Sequence, residues 1–304
     1  KQYLNFYNGI KIPFIDKSGY KSIFNTELIP GKIGMLLGLL MLKGVSLQSR
    51  INAIDFLLSI GFSRKKIAKQ SVYELLKSMH QSDSMIKRFW EPMCLAVMNL
   101  SPKASDAAVF VEVIRRAFFS GKDNARLIIP KTGLSGMLIP FEEFILKNGG
   151  EVRFSAGVDE IIFVHNRVEG VRVGNEIFTA DYYITTVQPF QLQKMIKNES
   201  HTKNFNYLTN FSYSPIISIF LWFDKEFMKE RMCALLDSKV QWAFNRRKTI
   251  THGKFIKTRI PAHIALTISG ADDLINLTKE EIIGICIKDI KTAFPISINA
   301  NLIH

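Results

Sequence analysis

Residues 80–119 read HQSDSMIKRFWEPMCLAVMNLSPKASDAAVFVEVIRRAFF, and the aromatic-acid-proline corner Phe89-Trp90-Glu91-Pro92 in this stretch decides how the chain is read. Apolar residues recur at three- and four-residue spacing on both sides of the corner, which predicts helices over 83–98 and 105–119, the second stopped by Gly121. Working outward, the same spacing predicts helices over 33–42, 47–60 and 71–79, with Ser71 and Glu74 forming a capping box. Residues 14–20 read as a hairpin with a polar turn.

From Gly149 the period switches to two. Strands are expected over 151–154, 158–164, 167–173, 176–179 and 182–187, with Gly174-Asn175 as a two-residue hairpin turn and a helix over 136–147 ahead of them. Further strands are expected over 216–223, 241–244 and 262–269, then a helix over 278–294 that opens on a Thr278-Glu281 capping box and closes at Pro295. The pattern is α/β of the α+β kind, with neither internal repeats nor low-complexity segments.

The 304 residues are 47% apolar, ample for a buried core. Forty Lys and Arg against 27 Asp and Glu give +13, yet the basic residues are scattered and accompany no nucleic-acid-binding signature, so no nucleic-acid partner is expected. Cys94, Cys233 and Cys286 are far apart in apolar surroundings and read as buried thiols. His spacing implies no metal. The strongest apolar run, 33–42, is too short to span a bilayer, which needs about 20 residues. Flanked by Lys32 and Lys43, it reads either as a core helix or as a peripheral membrane contact with snorkelling lysines.

The 80–119 stretch resembles the squalene-associated FAD-dependent desaturases, or hydroxysqualene dehydroxylases, a branch of the flavin amine oxidase and phytoene desaturase superfamily. Further blocks agree in order: Leu28-Ile29-Pro30-Gly31, Leu127-Ile128-Ile129-Pro130-Lys131-Thr132-Gly133, Gly149-Gly150-Glu151-Val152-Arg153 through Val158, Thr186-Val187-Gln188-Pro189, Trp222-Phe223-Asp224, Gln241-Trp242-Ala243-Phe244-Asn245-Arg246, and Ile268-Ser269-Gly270-Ala271-Asp272-Asp273. The family's opening G-x-G-x-x-G turn, which receives the FAD pyrophosphate, has no counterpart here; the glycines of 31–44 lack its spacing. Its closing Gly-Asp-Trp block near the flavin is missing too, so the chain is expected to be a fragment of a longer flavoprotein.

The resemblance implies a partial FAD-linked amine-oxidase-like fold. Residues 1–135 form the first, mostly helical part of a substrate domain, 136–195 an excursion into the FAD-binding domain, and 196–304 the second part of the substrate domain. A sheet is the floor under the flavin and the early helices its roof. It implies that FAD contacts the main chain of Val158 through its adenine and that Thr186 lies near the flavin. Trp90, Trp242 and Arg246 are candidates for the substrate surface, with core packing as the alternative for the tryptophans.

Glu91, set between Trp90 and Pro92 against an apolar helix, is the candidate general acid, because desolvation raises a carboxyl pKa. The alternative is an ordinary ion pair with Lys87 or Arg88. Asp224 is expected to end a strand by capping a turn.

The implied reaction is reductive removal of the hydroxyl of hydroxysqualene, a water-insoluble C30 isoprenoid, giving squalene. The location implied is cytoplasmic, peripheral on the inner face of the membrane through 33–42. A carotenoid-type desaturase, an amine oxidase and a non-catalytic isoprenoid-binding remnant are the competing readings.

Overall fold

The computed structural model describes residues 3–62, 67–121, 126–165, 167–197, 202–250 and 260–304. Two units emerge, one of Lys1–Leu138 with Ser214–His304 and one of Ile139–Tyr213. The first opens with β1 (Leu4–Tyr7), then a hairpin of β2 (Lys11–Ile15) and β3 (Lys21–Asn25). Asp16 shapes the hairpin turn: its Oδ1 accepts the backbone N–H groups of Ser18 at 3.0 Å and Tyr20 at 3.1 Å, while Gly19 takes φ 77°.

Helix α1 (Lys32–Leu40) lies against β3. A Cβ on Gly38 would stand 2.8 Å from the Phe24 ring, and one on Gly34 1.5 Å from the Ile29 carbonyl oxygen. These glycines therefore serve close packing and form no phosphate cradle. Next come α2 (Leu47–Phe62) and α3 (Val72–Ser78), the latter held by the expected Ser71-Glu74 box.

The decisive corner is a widened turn inside one helical run. α4 (Asp83–Met85) passes through a π turn, Ile86–Trp90, into α5 (Glu91–Met98). Pro92 has no N–H to offer the Arg88 carbonyl, and the N–H of Glu91 reaches five residues back to the carbonyl of Ile86. The wider turn sends Phe89 and Trp90 into the core together, both fully buried. α6 (Ala107–Phe119), capped by Asp106, completes the helical layer.

That layer covers one face of a six-stranded sheet in the order β3-β2-β9-β10-β11-β8, built with β8 (Ile216–Phe223), β9 (Met232–Leu235), β10 (Trp242–Asn245) and β11 (Ala262–Ser269). Every neighbour is antiparallel except β2 with β9, which run parallel with Phe14 opposite Ala234. Sequence periodicity gave no sign of β9, whose four residues are all buried and so do not alternate.

On the helical side Ile12, Phe14, Phe24, Ala234 and Trp242 join Phe56, Phe89, Trp90 and Phe110 in one core. On the other side Ile219, Leu221, Ile264 and Leu266 pack with Cys286 and Ile290 of the helix Lys279–Ala293 in a second core. Asp224, just past β8, accepts the Asn301 backbone N–H at 2.7 Å and its Nδ2 at 2.8 Å, tying the last residues to the sheet. β4 (Leu127–Pro130) pairs with β1.

The second unit carries most of α7 (Leu134–Lys147) and an antiparallel meander of β5 (Glu160–Val164), β6 (Arg167–Val173) and β7 (Glu176–Phe178). α8 (Pro189–Met195) follows. Gly174, at φ 59°, makes the expected two-residue turn, and its N–H bonds Asp159 Oδ2 at 2.7 Å. The strands expected over 151–154 and 182–187 are not formed. An isolated extended segment leaves its backbone groups unpaired, and neither has a neighbouring strand among the described residues. No described helix is long and apolar enough to cross a membrane.

Candidate active site

Two adjoining clefts flank α5 in the first unit, sharing Leu95 and Ser269 as lining residues. The smaller, about 210 Å³, lies between Leu95, Ala96 and Asn99 at the end of α5 and the sheet residues Ile216, Met232, Trp242, Phe244 and Thr267. Strand alternation puts Trp242 and Phe244 on one face of β10, and the register extends that face across β11 and β8. Trp242 sits beside Thr267 and Ser218; Phe244 sits beside Ala265 and Phe220. Towards β8 the face opens to solvent, with Phe220 47% and Ile216 57% exposed. Trp242 is 4% exposed, and its Nε1 is buried with no hydrogen-bond acceptor.

Asn99 fixes the roof of this cleft. It ends α5 in the left-handed conformation at φ 55°, donates from Nδ2 to the Ser214 carbonyl at 2.9 Å, and accepts the Gly270 N–H on Oδ1 at 3.1 Å. The reading of the sequence missed it, although an Asn closing an apolar helix ahead of Leu100-Ser101-Pro102 is a terminator signal.

The larger cleft, about 660 Å³, mixes charged side chains with apolar ones and contains Glu91. Neither expected ion pair of Glu91 forms. Lys87 instead meets Asp237 at 2.5 Å, and Arg88 meets Asp16 at 3.2 Å. Burial pushes the Glu91 carboxyl above the ordinary carboxylate range, opposed by the positive charge of Lys87 and reinforced by the negative charge of Asp237. Asp289, on the opposite wall, is occupied by Ser238 Oγ at 2.6 Å and the Val240 N–H at 3.1 Å.

Trp90 lines neither cleft. It is enclosed by Phe56, Phe89 and Phe110 at centroid distances of 5.2, 4.9 and 6.5 Å, and its Nε1 donates to Gln81 Oε1 at 2.8 Å. Arg246 opens the short helix Arg246–Thr249 just past β10, near His263. Burial, followed by the charges of Arg246 and Arg247, lowers the His263 pKa to about 4.

Val158 and Thr186 belong to the second unit. The meander's ladder ends at Asp159, whose N–H bonds the Arg172 carbonyl at 2.8 Å, so the main chain of Val158 lies just outside it. Thr186 is exposed in the irregular segment before α8. A phosphate cradle is absent among the described residues, so these residues alone do not make a complete FAD site. Among the described residues no three His, Cys, Asp or Glu gather to hold a metal ion.

Solved structures share this fold. An oxidoreductase from Methanosarcina mazei superposes with TM-score 0.74 at 16% identity, covering 96% of this chain and 67% of its own. Putrescine oxidase bound to putrescine gives 0.63 at 12% identity, covering 98% and 68%. In sequence the chain is 20% identical over 218 residues to a hydroxysqualene dehydroxylase of Sinorhizobium fredii, covering 70% of this chain and 47% of that protein. It thus spans about half the length of that relative. With residues 10–302 matching flavin containing amine oxidoreductase as a family, nearly from end to end, the chain belongs to that family.

Proposed function

We propose that the protein represented by this chain reductively removes the hydroxyl of hydroxysqualene, giving squalene for hopanoid or related triterpenoid synthesis. The apolar cleft between α5 and the open sheet face carries this reading: Leu95, Ile216, Met232, Trp242 and Phe244 offer a long hydrocarbon chain a water-poor surface. The similarity to the Sinorhizobium fredii enzyme supports it.

FAD, when bound and reduced by an electron donor, would supply the hydride. The residues of this chain do the rest. The sheet face holds the isoprenoid chain, Asn99 keeps α5 over it, and Glu91, whose pKa desolvation raises, gives its proton to the departing hydroxyl. Alcohol, hydride and proton leave as hydrocarbon and water. The raised Glu91 carboxyl favours this direction over carotenoid-type desaturation, which releases hydride from the substrate and has no leaving hydroxyl to protonate.

The test is to purify the chain alone and within its native flanking sequence, measure visible flavin absorbance of each, and incubate the flavin-containing form with hydroxysqualene and a reductant. Squalene is the expected product. Flavin without squalene, but with new double bonds in a supplied isoprenoid, would establish the desaturase reading. Absence of flavin from both forms would leave a non-catalytic isoprenoid-binding protein.

A further inference from the structure

Arg246 differs from the other cations around the sheet. Arg231 pairs with Glu27 at 3.2 Å and lies 4.0 Å over the Tyr7 ring; Lys21 pairs with Glu230 at 2.9 Å and Lys248 with Glu226 at 3.4 Å. The Arg246 side chain makes no ion pair or hydrogen bond among the described residues, and its Nε is buried without a partner. Burial lowers its pKa, yet a guanidinium stays charged at physiological pH. A positive charge drawn halfway out of water with nothing opposite it is unfavourable until an anion supplies the missing bonds.

Its position says what kind of anion. Trp242 and Phe244 follow one another on the same side of β10, Arg246 opens the short helix Arg246–Thr249 just past the strand and near His263, and the cross-strand register continues the face into rows across β11 and β8. At the charged end the row runs to His263 and Trp222, whose rings stack at 4.4 Å. The middle row is Phe244, Ala265 and the half-exposed Phe220. Then come Trp242, Thr267 and the apolar cleft. The strand from Trp242 to Asn245, roughly 10 Å long, leads from the cleft to the turn that carries Arg246. One end is cationic, and the path between is aromatic and open.

We infer that Arg246 holds the oxyanion head, a carboxylate or phosphate, of an amphipathic ligand whose apolar chain runs along this sheet face into the Trp242 cleft. The inference rests on the reading of that face as the substrate surface and goes beyond it, because a neutral C30 alcohol gives Arg246 no counter-charge. The anionic amphiphile is a second ligand class that competes with the neutral chain for the same face.

Calorimetric titration of the purified chain with decyl phosphate, decanol and inorganic phosphate, with the amphiphiles kept below micelle-forming concentrations, tests the assignment. The phosphate ester should bind at least roughly tenfold more tightly than decanol, as expected for charge-assisted hydrogen bonds. Arg246→Gln should erase that preference while leaving decanol binding unchanged, and Arg246→Lys should restore part of it. Circular dichroism checks that each variant folds. Equal binding of ester and alcohol, or a preference that survives Arg246→Gln, would overturn the anchor while sparing the apolar face. Inorganic phosphate binding as tightly as the ester would overturn the amphipathic ligand, and binding of none of the three would remove both the anchor and the substrate-face reading beneath it.

Discussion

Trp90 spends its one polar atom on Gln81, itself held by the carbonyls of Asn52 at 2.9 Å and Met79 at 3.0 Å. Gln81→Leu removes the acceptor and leaves a buried indole N–H unpaired, so a loss of about 1–3 kcal/mol is expected in urea unfolding. Glu91 should behave in the opposite way. Glu91→Gln relieves a desolvated carboxylate, so stability at pH 7 should hold or rise, while turnover by the flavin-containing protein should fall by about 10²–10⁴ if Glu91 is the acid. A stability loss with unchanged turnover would mark Glu91 as structural. Adjacent residues thus part company, one to the core and one to a cleft. The sequence made the corner visible but not this division, because it depends on the π turn, and a widened turn leaves no periodic trace.

Among the elements, β10 and β11 set up a pH response. The His263 pKa of about 4 lies below the ordinary 6.5, so as pH falls the unfolded chain takes up a proton that the folded chain refuses. Stability is complete above about pH 6.5 and declines towards pH 4, by up to roughly 3 kcal/mol. Urea midpoints at pH 7.5 and pH 5 would show the slope, and His263→Gln should flatten it. Elsewhere helices were legible wherever one face is buried: 47–60, 71–79 and 278–294 are found within one or two residues of Leu47–Phe62, Val72–Ser78 and Lys279–Ala293. Strands were legible only where alternation survives, as in Ile216–Phe223. β9 escaped notice, and the 151–154 and 182–187 segments have the right composition but no neighbour to complete a ladder. The site was partly legible too: Trp242 and Phe244 share a face by simple alternation, whereas Asn99 matters through contacts more than a hundred residues away in the chain.

At the scale of the molecule, α1 has a core side and an exposed apolar side, and the membrane contact expected of 33–42 would use the second. Met35 and Leu39 are in the core, while Ile33, Leu37, Leu40 and Met41 remain exposed, with Leu28 nearby in sequence. With a net charge of +13, this face suits an anionic bilayer, where each basic group near the surface contributes about 1 kcal/mol. Co-sedimentation with anionic vesicles should weaken with added salt. It should also fall sharply in Ile33→Glu with Met41→Glu, without a change in melting temperature; equal sedimentation would rule out this face. The parallel pairing of β2 with β9 reaches further, into how the chain comes to be folded at all. Phe14 waits for Ala234, more than two hundred residues later in synthesis, which at ribosomal speed means roughly 10–40 s. During that interval the nascent hairpin displays a bare strand edge and the apolar side chain of Ile15, whose core is built from residues beyond 218. It is there that a holding chaperone would find its client, and there that overproduction at high temperature should lead first to inclusion bodies.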